Sequence, residues 1–453
     1  MERKVAKNIE ELIEIWESDI DFDVDDFDED GNPLSYYADK YSFDKIDIDF
    51  DLNLPFSKEV IDDMEMALFQ NIGTLRFNNC KFLRKFYIGS SDKDIEFTDN
   101  CVFSGRLRSW RYKNNLTFKD SVIKNMDFED AIFGVEENKN DKKGKVRFHN
   151  CDLYEANFRN TTFNSLADFW SCTFHNPITF YKTDFRDIVV FSAVNFKENV
   201  LFTYSLIDKL MILREANPEK GFDLSLAIIS GKLSVFDFKF DDYNSYGKIY
   251  ADTNEELYKT KNKISYFKAY ETVYERAVSQ NNQIPIENKR ETYRILKNHL
   301  ESEKNFINAI PFKVMESKTH LKESYKKLIN GHTITRPLSN IIVLFLNAIS
   351  NWFGSSYIIG VLFTIGIGGL FYYLSILNFG LYEFAWSIDN DIFKENLGAF
   401  AQFIIPTHRF DYATKYFGND GVIDHGFYLW DILGRIFVGY GIYQTIQAFR
   451  KYK

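Results

Sequence analysis

Proline, cysteine and histidine are scarce in this chain of 453 residues, which contains 8 Pro, 4 Cys and 7 His. So little proline beside 17% aromatic residues indicates an ordered chain. The histidines are scattered, His408 and His425 are not at ligand spacing, and no G-x-S-x-G, Walker or H-E-x-x-H motif is present. The sequence therefore gives no case for an enzyme, a resident metal or a cofactor.

Positive charge is scarce relative to negative charge in the first part of the chain. Residues 1–65 contain 22 Asp/Glu against 6 Lys/Arg, whereas the whole chain has a net charge of -10, so the remainder carries about +6. Residues 8–17 have the pattern of a short amphipathic helix, and Lys45 to Leu54 alternates apolar and acidic residues like a strand with one wet face. We predict that residues 1–70 form an acidic N-terminal cap. The charged start, Met1 to Lys7, is not a signal peptide.

A large apolar residue returns every five or six positions between Phe148 and Ile207. Neither the helical period of 3.6 nor the strand period of 2 explains this spacing. A chain that turns a corner every five residues would point one large and one compact side chain inward from each face. Coils stacked ~4.8 Å apart would then build a ladder of phenylalanines. The large positions are Phe148, Leu153, Phe158, Phe163, Phe169, Phe174, Phe180, Phe185, Phe191, Phe196, Phe202 and Ile207.

The compact positions lie two residues before many of the large ones. All four cysteines, Cys80, Cys101, Cys151 and Cys172, occupy this position. A buried, unpaired thiol explains them without a disulfide or a metal, and it fits a reducing compartment. Other compact positions are Ala156, Thr161, Ala167, Thr183, Val194 and Ser205.

This pattern, with weaker copies upstream, resembles that of pentapeptide-repeat proteins in their phenylalanine-rich form. The resemblance covers roughly Leu75 to Ile207 and implies a right-handed quadrilateral β-helix, which we assign to residues 71–250. A sandwich of short strands is the alternative, but it would need turn residues every ~8–12 positions, which this spacing does not provide.

A basic tract interrupts the repeat. Residues 76–113 hold nine basic and four acidic residues mixed with aromatic ones, and the stretch GRLRSWRYKNN departs from the pattern, so its side chains are expected to leave the coil surface. Positive charge beside exposed rings suits a phosphate backbone with stacked bases. The alternative is an ordinary basic face opposing the acidic cap. The candidate ligand-binding residues are Arg84, Lys85, Arg106, Arg108, Trp110, Arg111, Tyr112 and Lys113.

Helical periodicity begins near residue 254, and we predict a helical connector over residues 251–335. Its first helix covers residues 254–278, and its second covers Glu287 to Lys327 with a break at Pro311. The run resembles the connector of bacterial pentapeptide-repeat proteins that carry C-terminal membrane spans.

Residues 336–453 are predicted to form a transmembrane domain. Residues 357–377 contain no charge and would span about 31 Å as a helix, which matches a hydrocarbon core of about 30 Å. Residues 427–449 are a second, less apolar candidate, and residues 338–353 are expected to form an interfacial helix. Basic clusters flank the resulting two-helix transmembrane hairpin, so the positive-inside rule places both termini and the N-terminal domain in the cytoplasm. The predicted location is a bacterial inner membrane.

The second span contains polar residues that suggest a pore or a gate. Asp431 and Arg435 are four residues apart and can pair, and Gln444 follows them. Lipid anchoring near the interface is the alternative role. The string VGYG at 438–441 resembles a potassium filter, but too little chain follows it, so we place it within the second helix. Residues 397–406 could form a pore helix.

The whole layout resembles that of bacterial antiphage membrane effectors, including the channel effector of a Hailong-type system. That resemblance implies a partner nucleotidyltransferase whose single-stranded DNA product holds the channel silent. Two spans do not enclose a pore, so a conducting form requires a homo-oligomer, with a tetramer favoured by analogy. The alternative hypothesis is a membrane-tethered, non-conducting scaffold for protein-protein interaction.

Overall fold

The computed structural model describes residues 3–19, 42–54, 73–91, 93–135, 143–238, 242–246, 272–330, 334–378, 390–417 and 425–450. The chain divides into two compact units, Met1–Ile295 and Leu296–Lys453. The first unit is a stack of short parallel strands and the second is helical.

The first unit has a β-helix-like fold in which successive turns of the chain stack in register. Val146 pairs with Ala167 and Ala167 with Val189, so these two turns of the coil take 21 and 22 residues, whereas the turn from Leu116 to Val146 takes 30. Every pairing within the four coil sheets is parallel, and the chain visits these sheets in rotation. A parallel stack of this kind satisfies the backbone hydrogen bonds of each turn through the turns above and below it.

The strands are short, as expected where the chain bends every few residues. The 11-stranded sheet comprises Lys4–Ala6, Ile46–Ile48, Leu52–Leu54, Lys81–Phe82, Phe86–Ile88, Val102–Ser109, Val122–Asp127, Asp152–Asn157, Thr173–Phe174, Asn195–Phe196 and Asn217–Pro218. The nine-stranded sheet comprises Ser42–Asp44, Thr74–Asn78, Asp94–Thr98, Leu116–Lys119, Val146–His149, Ala167–Asp168, Ile188–Val190, Leu210–Arg214 and Lys232–Phe236. The six-stranded sheet comprises Arg111–Tyr112, Ile132–Phe133, Thr162–Phe163, Asp184–Phe185, Leu206–Ile207 and Ile228–Ile229. The three-stranded sheet comprises Ile178–Thr179, Asn199–Leu201 and Gly221–Asp223, and a separate pair joins Ser245–Tyr246 to Ile284–Pro285.

Stacked phenylalanine rings fill the coil, as the spacing predicts. The rings of Phe148 and Phe118 are 4.8 Å apart and inclined by 1°, and those of Phe148 and Phe169 are 5.3 Å apart and inclined by 4°. The ladder continues from Phe169 to Phe191 at 5.2 Å. All of these rings are fully buried. The prediction that the large positions point inward is confirmed, and ring stacking adds to the free energy of burial.

Left-handed residues turn the corners. Asn150 and Asn160 both have φ of 54°, and each precedes a compact inward residue. Asparagine tolerates this conformation better than most residues because its short side chain hydrogen-bonds locally. Here the Asn150 amide donates to Asp120 Oδ1 of the preceding turn at 2.6 Å, and Asn160 donates to Asp130 at 3.0 Å. The corners are therefore connected from turn to turn.

The four cysteines are free and buried, which confirms the role predicted for them. The Cys172 thiol donates to the Phe148 carbonyl at 3.1 Å. Burial raises the pKa of Cys101 to about 12, so this thiol stays protonated and unreactive at neutral pH.

At the N-terminus, helix α1 (Ile9–Asp19) packs Trp16 against Phe43 of the coil, with ring centroids 5.9 Å apart. The strand predicted over Lys45 to Leu54 is instead two strands, because the chain turns a corner at residues 49–51. Residues 20–41, which hold much of the acidic segment, lie outside the described part of the chain.

The basic stretch does not leave the coil, contrary to the sequence-based expectation. It contains the longest strand of the 11-stranded sheet, Val102–Ser109, which pairs on both sides. The break in the repeat is a register shift. Ile123 pairs with Phe103 but Asn125 pairs with Arg106, so the strand Val102–Ser109 has one extra residue between these pairs. Gly105 permits it, since a Cβ at that position would lie 1.7 Å from the Arg84 carbonyl oxygen.

In the described part of the chain, two helices follow the coil. Helix α2 (Val273–Asn281) begins with a capping box between Thr272 and Glu275, and α3 (Ile286–Ser302) crosses the boundary between the units. Most of the helix predicted over 254–278 lies in residues 247–271, outside the described part of the chain.

The break predicted at Pro311 is wrong. The chain breaks at residues 303–305, where Lys304 is left-handed and the Asn305 side chain accepts from the Asn308 amide. Helix α4 (Phe306–Ile329) then runs through Pro311, which lies inside the helix and leaves the carbonyl of Ile307 without its i→i−4 donor.

The remaining helices among the described residues are α5 (Thr335–Asn351), α6 (Tyr357–Leu377), α7 (Asn390–Phe403), α8 (Tyr412–Phe417) and α9 (His425–Phe449). Helix α6 has the bounds predicted for the first span, and it is the one helix of the described chain that is long and apolar enough to cross a membrane. A second span is not shown.

Helices α6 and α9 pack antiparallel. The rings of Tyr357 and Phe449 lie 4.5 Å apart at one end, and Phe371 and Phe437 lie 5.3 Å apart nearer the other. A Cβ on Gly441 would lie 2.4 Å from Thr364 Oγ1, so the absence of a side chain there permits this close approach. Residues 438–441 are helical, which confirms their assignment to the second helix rather than to a filter.

Candidate functional site

Three groups of charged and polar side chains are candidate sites among the described residues. The predicted basic tract is the first. Two of its residues are paired with acidic side chains of the preceding turn. Arg84 Nε lies 2.7 Å from Asp49 Oδ1, and Lys85 Nζ lies 4.0 Å from Asp51 Oδ2. The hydrogen bond and charge of Asp49 raise the pKa of Arg84 above its ordinary value. The positive charge counted along the sequence is therefore partly neutralised.

Asp127 similarly neutralises part of the next pair. Its carboxylate is buried, accepts a hydrogen bond from Arg106, and lies 3.9 Å from Arg108 Nε. Two half-exposed guanidinium groups thus share one carboxylate, which leaves an excess of one positive charge at this point.

Tyr112 is buried, so the expectation that it offers an exposed ring for stacking is wrong. Its side chain points into the coil because it occupies an inward position of the strand Arg111–Tyr112, and its hydroxyl donates to the Lys93 carbonyl. Trp110 is 61% exposed, and Arg111 and Lys113 on either side of Tyr112 are exposed as well. The surface that remains available to a ligand is Trp110, Arg111 and Lys113, with Arg108 beside it; we call it the Trp110 surface.

The second group joins helix α2 to the coil. Arg159 Nη1 donates to Glu275 Oε1 at 3.1 Å, and Thr179 Oγ1 donates to the same oxygen at 2.6 Å. The Arg159 side chain is 3% exposed and that of Glu275 is 0% exposed. The guanidinium group also lies 4.2 Å from the centre of the Tyr181 ring. A charge pair with these additional partners is a satisfied, buried ion pair.

Helix α3 is attached through further buried polar groups. Asp223 accepts from Thr292 Oγ1 at 2.8 Å and from the Tyr274 hydroxyl at 2.5 Å. Burial, followed by the charge of Asp223, raises the pKa of Tyr274 well above its ordinary value, so it donates as a neutral phenol. Lys289, which is 2% exposed, donates to Asp242 and to the Tyr243 carbonyl. Sequence reasoning missed this attachment because its partners are far apart along the chain.

The third group lies among the helices of the second unit. Asp431 on α9 is fully buried, and its Oδ2 accepts from Arg435 Nε at 2.7 Å. This is the i, i+4 pair expected from the sequence. Asp431 Oδ1 lies 2.8 Å from Nε2 of His408, which sequence reasoning did not include, and the Arg435 guanidinium lies 4.0 Å from the centre of the Phe410 ring.

Gln444 lies in a separate, uncharged cluster on α9. It donates to Asn347 Oδ1 at 3.2 Å and accepts from the Asn351 amide, and the Tyr440 hydroxyl donates to Asn347 Oδ1 at 3.1 Å. The structure therefore does not bring Gln444 to Asp431 and Arg435. Hydrogen bonds of this kind, between amide side chains on different helices, hold the helices together.

No cluster of three or more potential metal ligands occurs among the residues that the structure describes. Comparisons of the chain with protein-family models, with curated proteins and with solved structures found no match.

Proposed function

We propose that this protein is a ligand-regulated, pore-forming membrane effector. Its coil would be a right-handed quadrilateral β-helix of the pentapeptide-repeat type on the cytoplasmic side of a bacterial inner membrane. Helices α6 and α9 would form the two-span hairpin, α5 would lie at the interface, and several copies of the chain, four by analogy, would enclose the pore.

The observation that carries the membrane proposal is the distribution of polar residues on α9. Asp431 and Gln444 are 0% and 4% exposed, whereas Leu429 and Ile436 are 56% and 61% exposed. This order is the reverse of that in a water-soluble helix, where charges face outward. A helix with apolar outer faces and a polar inner face suits a lipid surround.

Helices α5 and α6 extend the same apolar exterior. Ile342 and Phe345 of α5 are 52% and 54% exposed, and Leu362 of α6 is 63% exposed. Exposed apolar surface on three neighbouring helices is typical of a membrane-facing region. The average composition of α9 understates its suitability as a membrane span, because the average counts its buried polar residues as if they faced lipid.

The case for regulation combines the Trp110 surface with the helix attachment. A tryptophan between exposed cations offers a base-stacking platform and phosphate contacts, so we propose single-stranded DNA or a nucleotide as the ligand. A partner nucleotidyltransferase would supply it in an antiphage setting. Because buried polar groups hold α3 on the coil, a conformational change in the coil would be transmitted along this helix.

Ion flux from liposomes tests the proposal. The purified full chain should release potassium from liposomes, and a single-stranded DNA of about 10 nucleotides should change the rate. The double variant Arg111→Glu/Lys113→Glu should lose the DNA effect and the DNA binding while keeping the flux. Lys119→Glu/Lys124→Glu, which makes the same charge change at exposed positions elsewhere on the coil, is the matched control. No flux under any ligand would favour the membrane-tethered scaffold, and flux without DNA binding at low salt would exclude only the DNA ligand.

A further inference from the structure

The geometry around His408 fixes the position of two protons. Nδ1 of His408 lies 2.7 Å from the carbonyl oxygen of Ile405, and a carbonyl oxygen only accepts, so Nδ1 carries a hydrogen. Nε2 lies 2.8 Å from Asp431 Oδ1. If Nε2 were unprotonated and the carboxylate ionised, two lone pairs would face each other at that distance. One further proton must therefore lie between His408 and Asp431.

With Arg435 included, the shared proton determines whether the buried group is charged or neutral. Arg435 occupies the other carboxylate oxygen of Asp431, and its Nη2 is buried without a hydrogen-bond partner among the described residues. With the shared proton in place, the group of His408, Asp431 and Arg435 has a net charge of +1. When that proton leaves, the group becomes neutral, but the contact between Nε2 and Oδ1 becomes repulsive.

Few other titratable groups face this pair. Tyr412 of α8 packs its ring against His408 at 5.1 Å, and burial raises the pKa of this phenol well above its ordinary value, so it stays neutral. Helix α6 contributes the phenol of Tyr372, which packs against Tyr412 and donates to Asn396 of α7. Helix α7 also contributes the Phe403 ring, 5.3 Å from that of His408. The proton is thus held by His408 and Asp431.

We propose that His408 and Asp431 form a proton-binding site that fastens the turn at residues 404–411 to helix α9. His408 donates to the Ile405 carbonyl within the turn and meets α9 through Asp431, so the shared proton links the turn to α9. Release of the proton at alkaline pH would detach the turn from α9. The site does not depend on pore formation, so a failure of the flux experiment would leave it standing.

Hydrogen exchange on the full chain in lipid nanodiscs tests the site. In a series of increasing pH, protection factors corrected for intrinsic rates should fall at residues 404–411. Beyond the point of release the fall should be about tenfold per pH unit, the slope for one linked proton. Residues 347–355, around the uncharged Asn347 and Asn351 cluster, should keep their protection and serve as an internal control.

Substitution of the carboxylate separates this account from a general loosening of the unit. In Asp431→Asn the amide can donate to an unprotonated Nε2 and its oxygen can accept from Arg435, so the alkaline loss of protection should disappear. His425→Gln, at the first residue of α9, should retain the loss. A wild-type profile that is flat with pH, or that matches the profile of residues 347–355, would overturn the proposal whether or not the variant folds.

Discussion

The buried ion pair between Arg159 and Glu275 makes a sharp test of how α2 is held on the coil. Glu275→Gln keeps the size of the side chain, but it removes the charge opposite a guanidinium group that is 3% exposed and leaves one acceptor oxygen where the carboxylate has two. Removing one partner of a buried pair leaves the other charge uncompensated, which costs about 3–5 kcal/mol. Since the single oxygen of the new amide can accept either from Arg159 and Thr179 or from the Thr272 amide, but not from both sides, we expect a loss within this range, about 3–5 kcal/mol.

The matched control is Asp187→Asn, which breaks an exposed pair on the same coil. Lys209 Nζ lies 3.0 Å from Asp187 Oδ1, and the lysine side chain is 60% exposed. Exposed pairs contribute about 0.2–1 kcal/mol, because water and salt screen them. Urea titrations of the full chain, followed by hydrogen exchange of coil and α2 peptides, would measure the free energy of unfolding of this unit alone.

A double-mutant cycle decides whether the charge itself is responsible. Arg159→Met combined with Glu275→Gln removes both charges, so the double variant should be more stable than the sum of the two single losses predicts, with a coupling of about 1–3 kcal/mol. Equal losses for Glu275→Gln and Asp187→Asn, or additive losses in the cycle, would refute the reasoning.

Three further substitutions and conditions test the packing. Phe169→Ala should lower the free energy of unfolding of the coil by about 3–5 kcal/mol, whereas Trp170→Ala, at a half-exposed position, should change it by no more than about 0.5 kcal/mol in urea titrations. Gly441→Leu should lower the melting temperature in detergent because α6 leaves no room, whereas Gly439→Leu should not, since a Cβ there meets nothing within 4 Å. Burial raises the pKa of Cys101 to about 12, so an unfolded chain releases thiol protons above about pH 8.5 while the fold keeps them. Coil stability should therefore fall as pH rises from about 8.5 towards 12, and Cys101→Ser should reduce that slope in urea midpoints.

The coil could be predicted from the sequence because its signal is local. Each face of five or six residues has one compact and one large inward side chain. The spacing of Phe148, Phe169 and Phe191 therefore predicts one column of the core. The attachment of α2 has no such signal, because Arg159 and Glu275 are 116 residues apart. Nothing near either residue distinguishes a buried pair from two surface charges.

The pairing of the basic tract could have been foreseen from the length of the turn. Once a turn takes about 21 residues, Asp127 falls one turn after Arg106 and Arg108; the register sets it beside Arg108, and the Arg106 side chain donates to it. The same offset places Tyr112 on an inward column. Composition alone counts charges along the chain, whereas a coil brings together residues one turn apart, so the net charge of its face is smaller than the count suggests.

Helix α9 shows how the same principle applies to the second unit. Its buried residues recur at three and four positions, and two of its polar residues, Asp431 and Gln444, fall within that series. The series is Phe427, Asp431, Gly434, Val438, Gly441, Gln444 and Ala448. An average over the helix treats those two residues as if they faced outward and therefore understates how apolar the outer faces are. The exposed side chains between residues 427 and 446 are those that a bilayer would meet, and all are apolar or aromatic: Tyr428, Leu429, Ile432, Ile436, Tyr443 and Ile446.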